Sequence, residues 1–252
     1  MAGSLVLFHA SDLHFGQEDR AALDWFMAEV ERERPAAVLC TGDLTMRGTA
    51  REFAVARAWL SKLPVPVLLE PGNHDVPYYW FPLRRMISPY ARFRALKQAV
   101  EGHRVLPEVA IVSLKTVARA QFRLNWSKGR VRNRELDEAL HELAHYPDRP
   151  LKLITCHHPL VDADTESSGS TRGGRRALAA LARAGVDAVL SGHVHDAFDL
   201  TIEADEGLPI RLIGAGTLSQ RIRSTPPGYN RLEWDPVAGL RVLPQSMVPA
   251  LV

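Results

Sequence analysis

The sequence predicts an α/β chain in which two β-sheets pack face to face with helices outside. Three observations carry this prediction. Apolar strand-like runs alternate with helical patterns from Leu5 to Leu190. From residue 197 onward only strand-like segments remain. Five short polar clusters each follow an apolar run directly, at the strand ends where open α/β sheets build their sites.

The elements follow in order. Leu5–Phe8 is an apolar run that reads as a first strand. Leu23, Phe26, Met27 and Val30 recur at helical spacing, and Pro35 ends that helix. Ala37–Cys40 is a second buried strand. Thr49 and Glu52 form a capping-box pattern that opens a helix through Phe53, Ala56 and Leu60. Val65–Leu69 is a third strand, and Pro71-Gly72 a turn. The stretch 76–108 is rich in aromatics, Arg and Pro and reads as an inserted helical segment. Within it, Ser88-Pro89 reads as an N-cap with Pro at the first helical position, and Phe93, Leu96 and Val100 continue the helix to Gly102. Strands are expected at 109–115 and 119–126, followed by a helix from Asn133 through Leu136, Leu140 and Leu143. Leu151–Cys156 is a strand, Ala177–Ala184 a helix closed by Gly185, and Val186–Leu190 a strand. The last strands fall near 198–203, 209–214, 229–234 and 239–243.

Composition narrows the class. Of 252 residues, 46% are hydrophobic and the net charge is only +2, which excludes a disordered chain. Lys and Arg number 31 against 29 Asp and Glu, so no strong nucleic-acid binding is expected. No apolar run approaches the roughly 18 residues of a membrane span. No cationic region precedes Leu5–Phe8, so a cytoplasmic protein is expected. Cys40 and Cys156 sit in apolar stretches and read as buried thiols. No linker or repeat divides the chain, so residues 1–252 are expected to form one domain.

The five clusters are Asp12-Leu13-His14, Gly42-Asp43, Gly72-Asn73-His74-Asp75, His157-His158 and Gly192-His193-Val194-His195. They hold six of the ten histidines. Residues at i and i+2 of an extended backbone point the same way, so Asp12 with His14, and His193 with His195, are each expected to converge on one point. Each cluster alone is a weak signal: the Asp-x-His, Gly-Asp and Gly-Asn-His-Asp clusters read as turns or accidents, and only His193-Val194-His195 suggests metal by itself. Five together, each after an apolar strand, point to metal. With His74 and His158 set aside, the set offers two carboxylates, one amide and four imidazoles, enough for two ions. Mixed nitrogen and oxygen donors suit Mn, Fe or Zn; Mg and Ca prefer oxygen alone. Two divalent ions, Asp12, Asp43 and a bridging hydroxide sum to about +1, which attracts an anionic ester.

This ordered pattern resembles the calcineurin-like metallophosphoesterases. The resemblance runs from Asp12 to His195, and Gly214 to Thr217 with Tyr229-Asn230 looks like the closing strands of bacterial cyclic-nucleotide phosphodiesterase-like members. It implies a four-layer α-β-β-α sandwich of two mixed β-sheets flanked by helices. It further implies that Asp12, His14, Asp43 and His195 hold one metal, and Asp43, Asn73, His157 and His193 the other, with Asp43 as the bridge. His74 would bind no metal; with Asn73 it would contact substrate, steadying the phosphate and protonating the leaving alkoxide. The implied activity is phosphodiester hydrolysis, with cyclic nucleotides among the candidates, by in-line attack of a metal-bridging hydroxide.

Other readings stay open at this point. A phosphomonoesterase with the same centre is the main alternative, followed by a nuclease and a non-catalytic scaffold. Met46 replaces the second Asp of the family's protein phosphatases, His74 replaces an Arg of the lipid A-pathway hydrolases, and Phe15-Gly16 supplies no Tyr ligand of the purple acid phosphatase kind. Asp75 either orients His74 or satisfies backbone N–H groups in its turn. Tyr78, Tyr79 or Trp80 could stack on a base, and Arg172, Arg175 and Arg176 could clamp a phosphate. The partner expected is a small phosphate ester; a homodimer is allowed.

Overall fold

A computed structural model describes residues 4–77, 87–101, 106–118, 127–163, 165, 171–204 and 207–247. The expected strand 119–126, the aromatic run Tyr78, Tyr79 and Trp80, and Gly102 lie outside the described residues.

Two five-stranded sheets form the centre. The first contains β1 (Leu5–Ala10), β2 (Ala37–Cys40), β3 (Val67–Leu69), β9 (Gly228–Asp235) and β10 (Gly239–Ser246), in the order β10-β9-β1-β2-β3. The second contains β4 (Val109–Ser113), β5 (Leu151–Thr155), β6 (Ala188–Ser191), β7 (Phe198–Glu203) and β8 (Pro209–Gly214), in the order β4-β5-β6-β8-β7. Both sheets are mixed. β1, β2 and β3 run parallel and β9 antiparallel to β1. β4, β5, β6 and β8 run parallel and β7 antiparallel to β8.

Alternation along the strands builds the layers. Leu5 and Leu7 of β1 face inward with Ala37 and Leu39 of β2, meeting Leu151, Leu153, Ala188 and Leu190 of the other sheet. Phe8 and Ala10 face outward onto α1 (Arg20–Glu33), α2 (Ala50–Leu60) and α3 (Ala91–Val100), where Phe26, Phe53 and Phe93 are buried. Ile154, Val189 and Leu212 face outward on the second sheet, onto α4 (Asn133–Leu143) and α5 (Gly174–Arg183). The result is the expected four-layer α-β-β-α sandwich.

Local chemistry sets the boundaries. Asp19 caps α1 by accepting from the Ala22 N–H at 3.1 Å. The Thr49–Glu52 capping box opens α2 as the sequence predicts. α3 starts at Ala91, two residues beyond Pro89, because Ser88 spends its carbonyl on a turn to the Ala91 N–H. β3 begins at Val67 because Pro66 has no N–H to give to a ladder. α5 begins at Gly174, before the expected Ala177, and ends at Arg183 with Gly185 in the left-handed region at φ 73°. Cys40 and Cys156 are free, buried thiols, raised above their ordinary pKa by burial.

Candidate metal centre

Because β1, β2, β3, β5 and β6 run parallel within their sheets, their following loops meet at one edge of the sandwich. Asp12 and His14 follow β1, Asp43 follows β2, and Asn73 and His74 follow β3. His157 follows β5, and His193 and His195 follow β6. Backbone bonds lock the loops together. The Asp12 N–H donates to the Gly42 carbonyl, the His14 N–H to the Asp43 carbonyl and the Gly192 N–H to the His157 carbonyl, each at 3.0 Å.

The clusters do not use extended backbone to aim their side chains. Asp12, His14, Asp43, His193 and His195 all have positive φ, between 45° and 72°. Among the described residues the one other non-glycine case is Arg34, which closes α1. Such conformations are strained for side-chain-bearing residues and concentrate at functional sites. The outcome for the i and i+2 pairs is mixed. Asp12 and His14 do meet. His193 and His195 part company: His195 joins Asp12 and His14, whereas His193 joins His157 and His158.

Three groups bring their donor atoms together at ion-holding spacing: Asp12 with His14 and His195, Asp12 with Asp43 and His157, and His157 with His158 and His193. Within each, the donor atoms lie within 4.8 Å of one another. His195 Nε2 stands 3.2 Å from Asp12 Oδ1 and 3.2 Å from His14 Nε2. Asp43 Oδ2 lies 3.3 Å from His157 Nε2 and 3.9 Å from His14 Nε2, between the two ends of the site. Asn73 Oδ1 is 3.2 Å from His157 Nε2.

Second contacts orient the rings. His157 Nδ1 donates to the Thr41 carbonyl at 2.8 Å and His195 Nδ1 to the Arg221 carbonyl at 2.5 Å, which turns each Nε2 toward the site. Asp12 Oδ2 accepts from the His193 N–H at 2.8 Å, while Asp12 Oδ1 is buried without a hydrogen-bond partner. An orphaned, fully buried carboxylate oxygen among imidazoles is the state a cation relieves, so the residues fit metal.

Electrostatics agree. Burial works against the Asp12 carboxylate, but His195 and His14 hold it well below the ordinary range. Burial likewise opposes Asp43, and His157 and His74 push it far down. Burial opposes protonated His157 too, but Asp43 raises it to about 9. Burial and neighbouring His157 lower His193 to about 3. Two ionised carboxylates thus sit among imidazoles, a donor set for a hard-to-borderline cation.

His158 does not aim at the same point. Its Nδ1 meets Thr116 Oγ1 at 3.0 Å and its Nε2 the Ser127 carbonyl at 2.7 Å. Asp75 takes the second of its two expected roles. It accepts from the N–H groups of Leu44, Thr45 and Gly72 and from the Thr45 hydroxyl, at 2.8–3.1 Å. His74 is oriented instead by the Met46 carbonyl, 2.6 Å from its Nδ1.

Arg221 was not found by sequence reasoning, and no motif marks it. Its Nη1 lies 3.3 Å from both His14 Nε2 and His74 Nε2. Arg172 and Arg176 line a separate cleft of about 530 Å³ with Arg130, Arg132 and Arg134. Arg175 borders another, beside Val161 and Asp162.

A family profile described as calcineurin-like phosphoesterase matches residues 5–197. The chain belongs to the calcineurin-like phosphoesterase family. It is accordingly a metal-dependent phosphoric ester hydrolase by family, with the residue clusters to hold the metal. The chain is 25% identical over 209 residues to a probable cyclic nucleotide phosphodiesterase of a Synechococcus species, covering 78% of this chain and 76% of that protein. It is 38% identical over 82 residues to a glycerophosphodiester phosphodiesterase of Enterobacter lignolyticus, a match to 28% of this chain and only 30% of that protein. Among solved structures, a dimetal phosphatase from Danio rerio superposes with a TM-score of 0.64 at 14% identity, covering 97% of this chain and 99% of that one. GAP50, the anchor in the inner membrane complex of Plasmodium, superposes with a TM-score of 0.62 at 14% identity over 97% of this chain and 85% of that one. These structural likenesses show the fold. Among the described residues no helix is long and apolar enough to cross a membrane.

Proposed function

We propose that this calcineurin-like phosphoesterase hydrolyses small phosphodiesters, cyclic nucleotides among them, at a dinuclear centre of Mn, Fe or Zn. The observation that carries the reading is the placement of Asp43 Oδ2 between His14 Nε2 and His157 Nε2. A carboxylate so placed can serve two ions at once. Asp12, His14, Asp43 and His195 would hold one ion, and Asp43, Asn73, His157 and His193 the other. The names of the two relatives, both phosphodiesterases, support the diester over the monoester.

Two ions, when bound, supply Lewis acidity and a nucleophilic water near neutral pH. The chain's own residues do the rest. Thr41 and Arg221 carbonyls fix the rings of His157 and His195 so that both offer Nε2. The Met46 carbonyl holds the proton of His74 on Nδ1 and turns Nε2 toward the site. The His74 N–H donates to Asp43 Oδ1 at 2.7 Å, so the residue that meets the leaving oxygen is tied to the bridging carboxylate. Substrate contact falls to His74 and Asn73. The near-neutral net charge of +2 disfavours long nucleic acids. The whole chain acts as one domain in this reading, and its place of action is the cytoplasm.

The experiment is elemental analysis combined with a hydrolysis panel. The panel covers bis-p-nitrophenyl phosphate, p-nitrophenyl phosphate and 2′,3′- and 3′,5′-cyclic nucleotides with added Mn²⁺. The expected result is close to two ions per chain, loss of activity on chelation, and faster diester turnover. Active protein with one ion or none overturns the dinuclear centre; a tenfold preference for the monoester overturns the diester assignment.

A further inference from the structure

Arg221 lies outside all five sequence motifs, yet its guanidinium is inside the site. Its Nη1 is 3.3 Å from His74 Nε2 and 3.3 Å from His14 Nε2. No carboxylate pairs with it among the described residues. This position is fixed, not incidental. The loop after β8 is pinned to the loop after β1: the Thr217 hydroxyl donates to the Asp12 carbonyl at 2.7 Å, and the Gln220 N–H to the Gln17 carbonyl at 3.1 Å. Ser219 Oγ is 2.7 Å from Thr217 Oγ1 and accepts from the Arg221 N–H at 3.2 Å. The Arg221 carbonyl in turn holds His195. The loop therefore presents a partly buried guanidinium to the centre on a short, hydrogen-bonded tether.

Two facts say what such a cation wants. His74 Nδ1 faces the Met46 carbonyl, and Arg221 Nη1 stands at hydrogen-bond distance from its Nε2, on the side that faces the site. His14 Nε2, the other acceptor, is a lone pair that a metal ion would take. A loaded centre thus leaves Arg221 facing an acceptor it has lost. The planar fork of a guanidinium matches phosphate oxygens, and charge-assisted bonds to them are the stronger kind.

We propose that Arg221 is a specificity residue that binds a non-bridging phosphate oxygen beside His74, and that it gives this centre a second activity on dianionic phosphomonoesters. The proposal rests on the dinuclear phosphoesterase reading above. A diester brings one negative charge, which two divalent ions with Asp12, Asp43 and a hydroxide, about +1 in sum, already balance. A monoester brings a second, and Arg221 is the fixed positive charge placed to meet it. The backbone carbonyl that orients His195 stays in place when the side chain changes, so the two roles separate.

The test compares wild type, Arg221→Gln and Arg221→Lys, each loaded with Mn²⁺. kcat/KM is measured for p-nitrophenyl phosphate and bis-p-nitrophenyl phosphate. Inhibition by inorganic phosphate, metal content and the phosphate-induced rise in melting temperature are measured alongside. Arg221→Gln should lower the monoester-to-diester ratio of kcat/KM by about tenfold or more, with a similar rise in the phosphate inhibition constant. Arg221→Lys should restore part of both, and all three proteins should hold the same metal. Equal losses on both esters with unchanged phosphate inhibition overturn the proposal, as does loss of metal in the Gln variant. Failure of the underlying reading looks different. Wild type would then hydrolyse neither ester, while the phosphate-induced melting shift, present in wild type and absent in Arg221→Gln, would still uphold the binding role. No shift in either protein overturns that role too.

Discussion

Replacing Gly72 by alanine should dismantle the metal centre without unfolding the protein. Gly72 lies in the turn after β3, and a Cβ there would stand 2.0 Å from Asp43 Oδ1 and 2.1 Å from Asp43 N. Ordinary contact needs about 3.5 Å, so Asp43 or the turn must retreat by more than about 1 Å. The turn has little freedom, because the Gly72 N–H is held by Asp75 Oδ2 at 2.9 Å. Metal ligands tolerate displacements of only about 0.2 Å. Overpacking of this kind costs about 1–3 kcal/mol, and contact with a backbone nitrogen puts it at the upper end. At about 2–4 °C per kcal/mol for a chain of this size, the melting temperature should fall by roughly 5–10 °C. The variant should keep its far-ultraviolet circular dichroism, bind fewer than one ion per chain by elemental analysis, and lose at least about 10²-fold in kcat/KM. Gly216→Ala is the control, since a Cβ there meets nothing closer than 3.7 Å. A Gly72→Ala protein with two ions per chain and wild-type kcat/KM would refute the proposed bridging role of Asp43.

Other substitutions probe separate parts of the argument. His74→Ala should retain both metals and lose about 10²–10⁴-fold in kcat on alkyl esters, with a smaller loss for p-nitrophenyl esters, whose leaving group needs no proton; equal losses would assign His74 to charge or positioning. Asp75→Ala strands the N–H groups of Leu44, Thr45 and Gly72 and the Thr45 hydroxyl, and should cost on the order of 3–5 kcal/mol in urea denaturation; a cost below about 1 kcal/mol would mean that water replaces the carboxylate. Glu70 is buried between the sheets, where it accepts from the Ser113 and Thr155 hydroxyls at 2.6 and 2.7 Å, and burial raises its carboxyl above the ordinary value. A raised folded pKa stabilises below the unfolded value and loses that stabilisation as pH rises through the folded one. Glu70→Gln should therefore gain melting temperature relative to wild type as pH rises above the ordinary carboxylate range, and a pH-independent difference would refute the shift.

Much of the fold was legible because burial writes itself into short-range pattern. The alternation Leu5, Leu7 against Phe8, Ala10 is visible in the sequence and reappears as two layers of the sandwich. The candidate site was legible because each motif begins within three residues of a strand end, so local order stands in for spatial proximity. What escaped is what depends on distant contacts. Arg221 reaches His74 only because Thr217 and Gln220 dock on the loop after β1. The left-handed turn of His193 and His195, which sends them to different groups, is invisible in an i, i+2 spacing. The partner of His74 is a backbone carbonyl, that of Met46, and a carbonyl leaves no trace in residue type. The neighbouring carboxylate of Asp75 is spent on the N–H groups of Leu44, Thr45 and Gly72 instead.

The strand order of the first sheet has a consequence for how the protein is made. β1 carries the loop of Asp12 and His14, and it lies between β2 and β9. β2 leaves the ribosome soon after β1, but β9 begins only at Gly228, after the whole second sheet has been synthesised. The loop that pins Asp12 through Thr217 arrives just before it. During translation the nascent chain therefore displays its first two candidate ligands on a strand with one neighbour missing, while His193 and His195 follow before that neighbour is made. Such closure between the two ends of a chain is slow, since long loops must be ordered before their contacts form. A ribosome stalled between His195 and β9 holds a chain with every candidate ligand residue made and β1 still short of one neighbour. Assembly of the candidate centre thus waits on the pairing of β9 with β1.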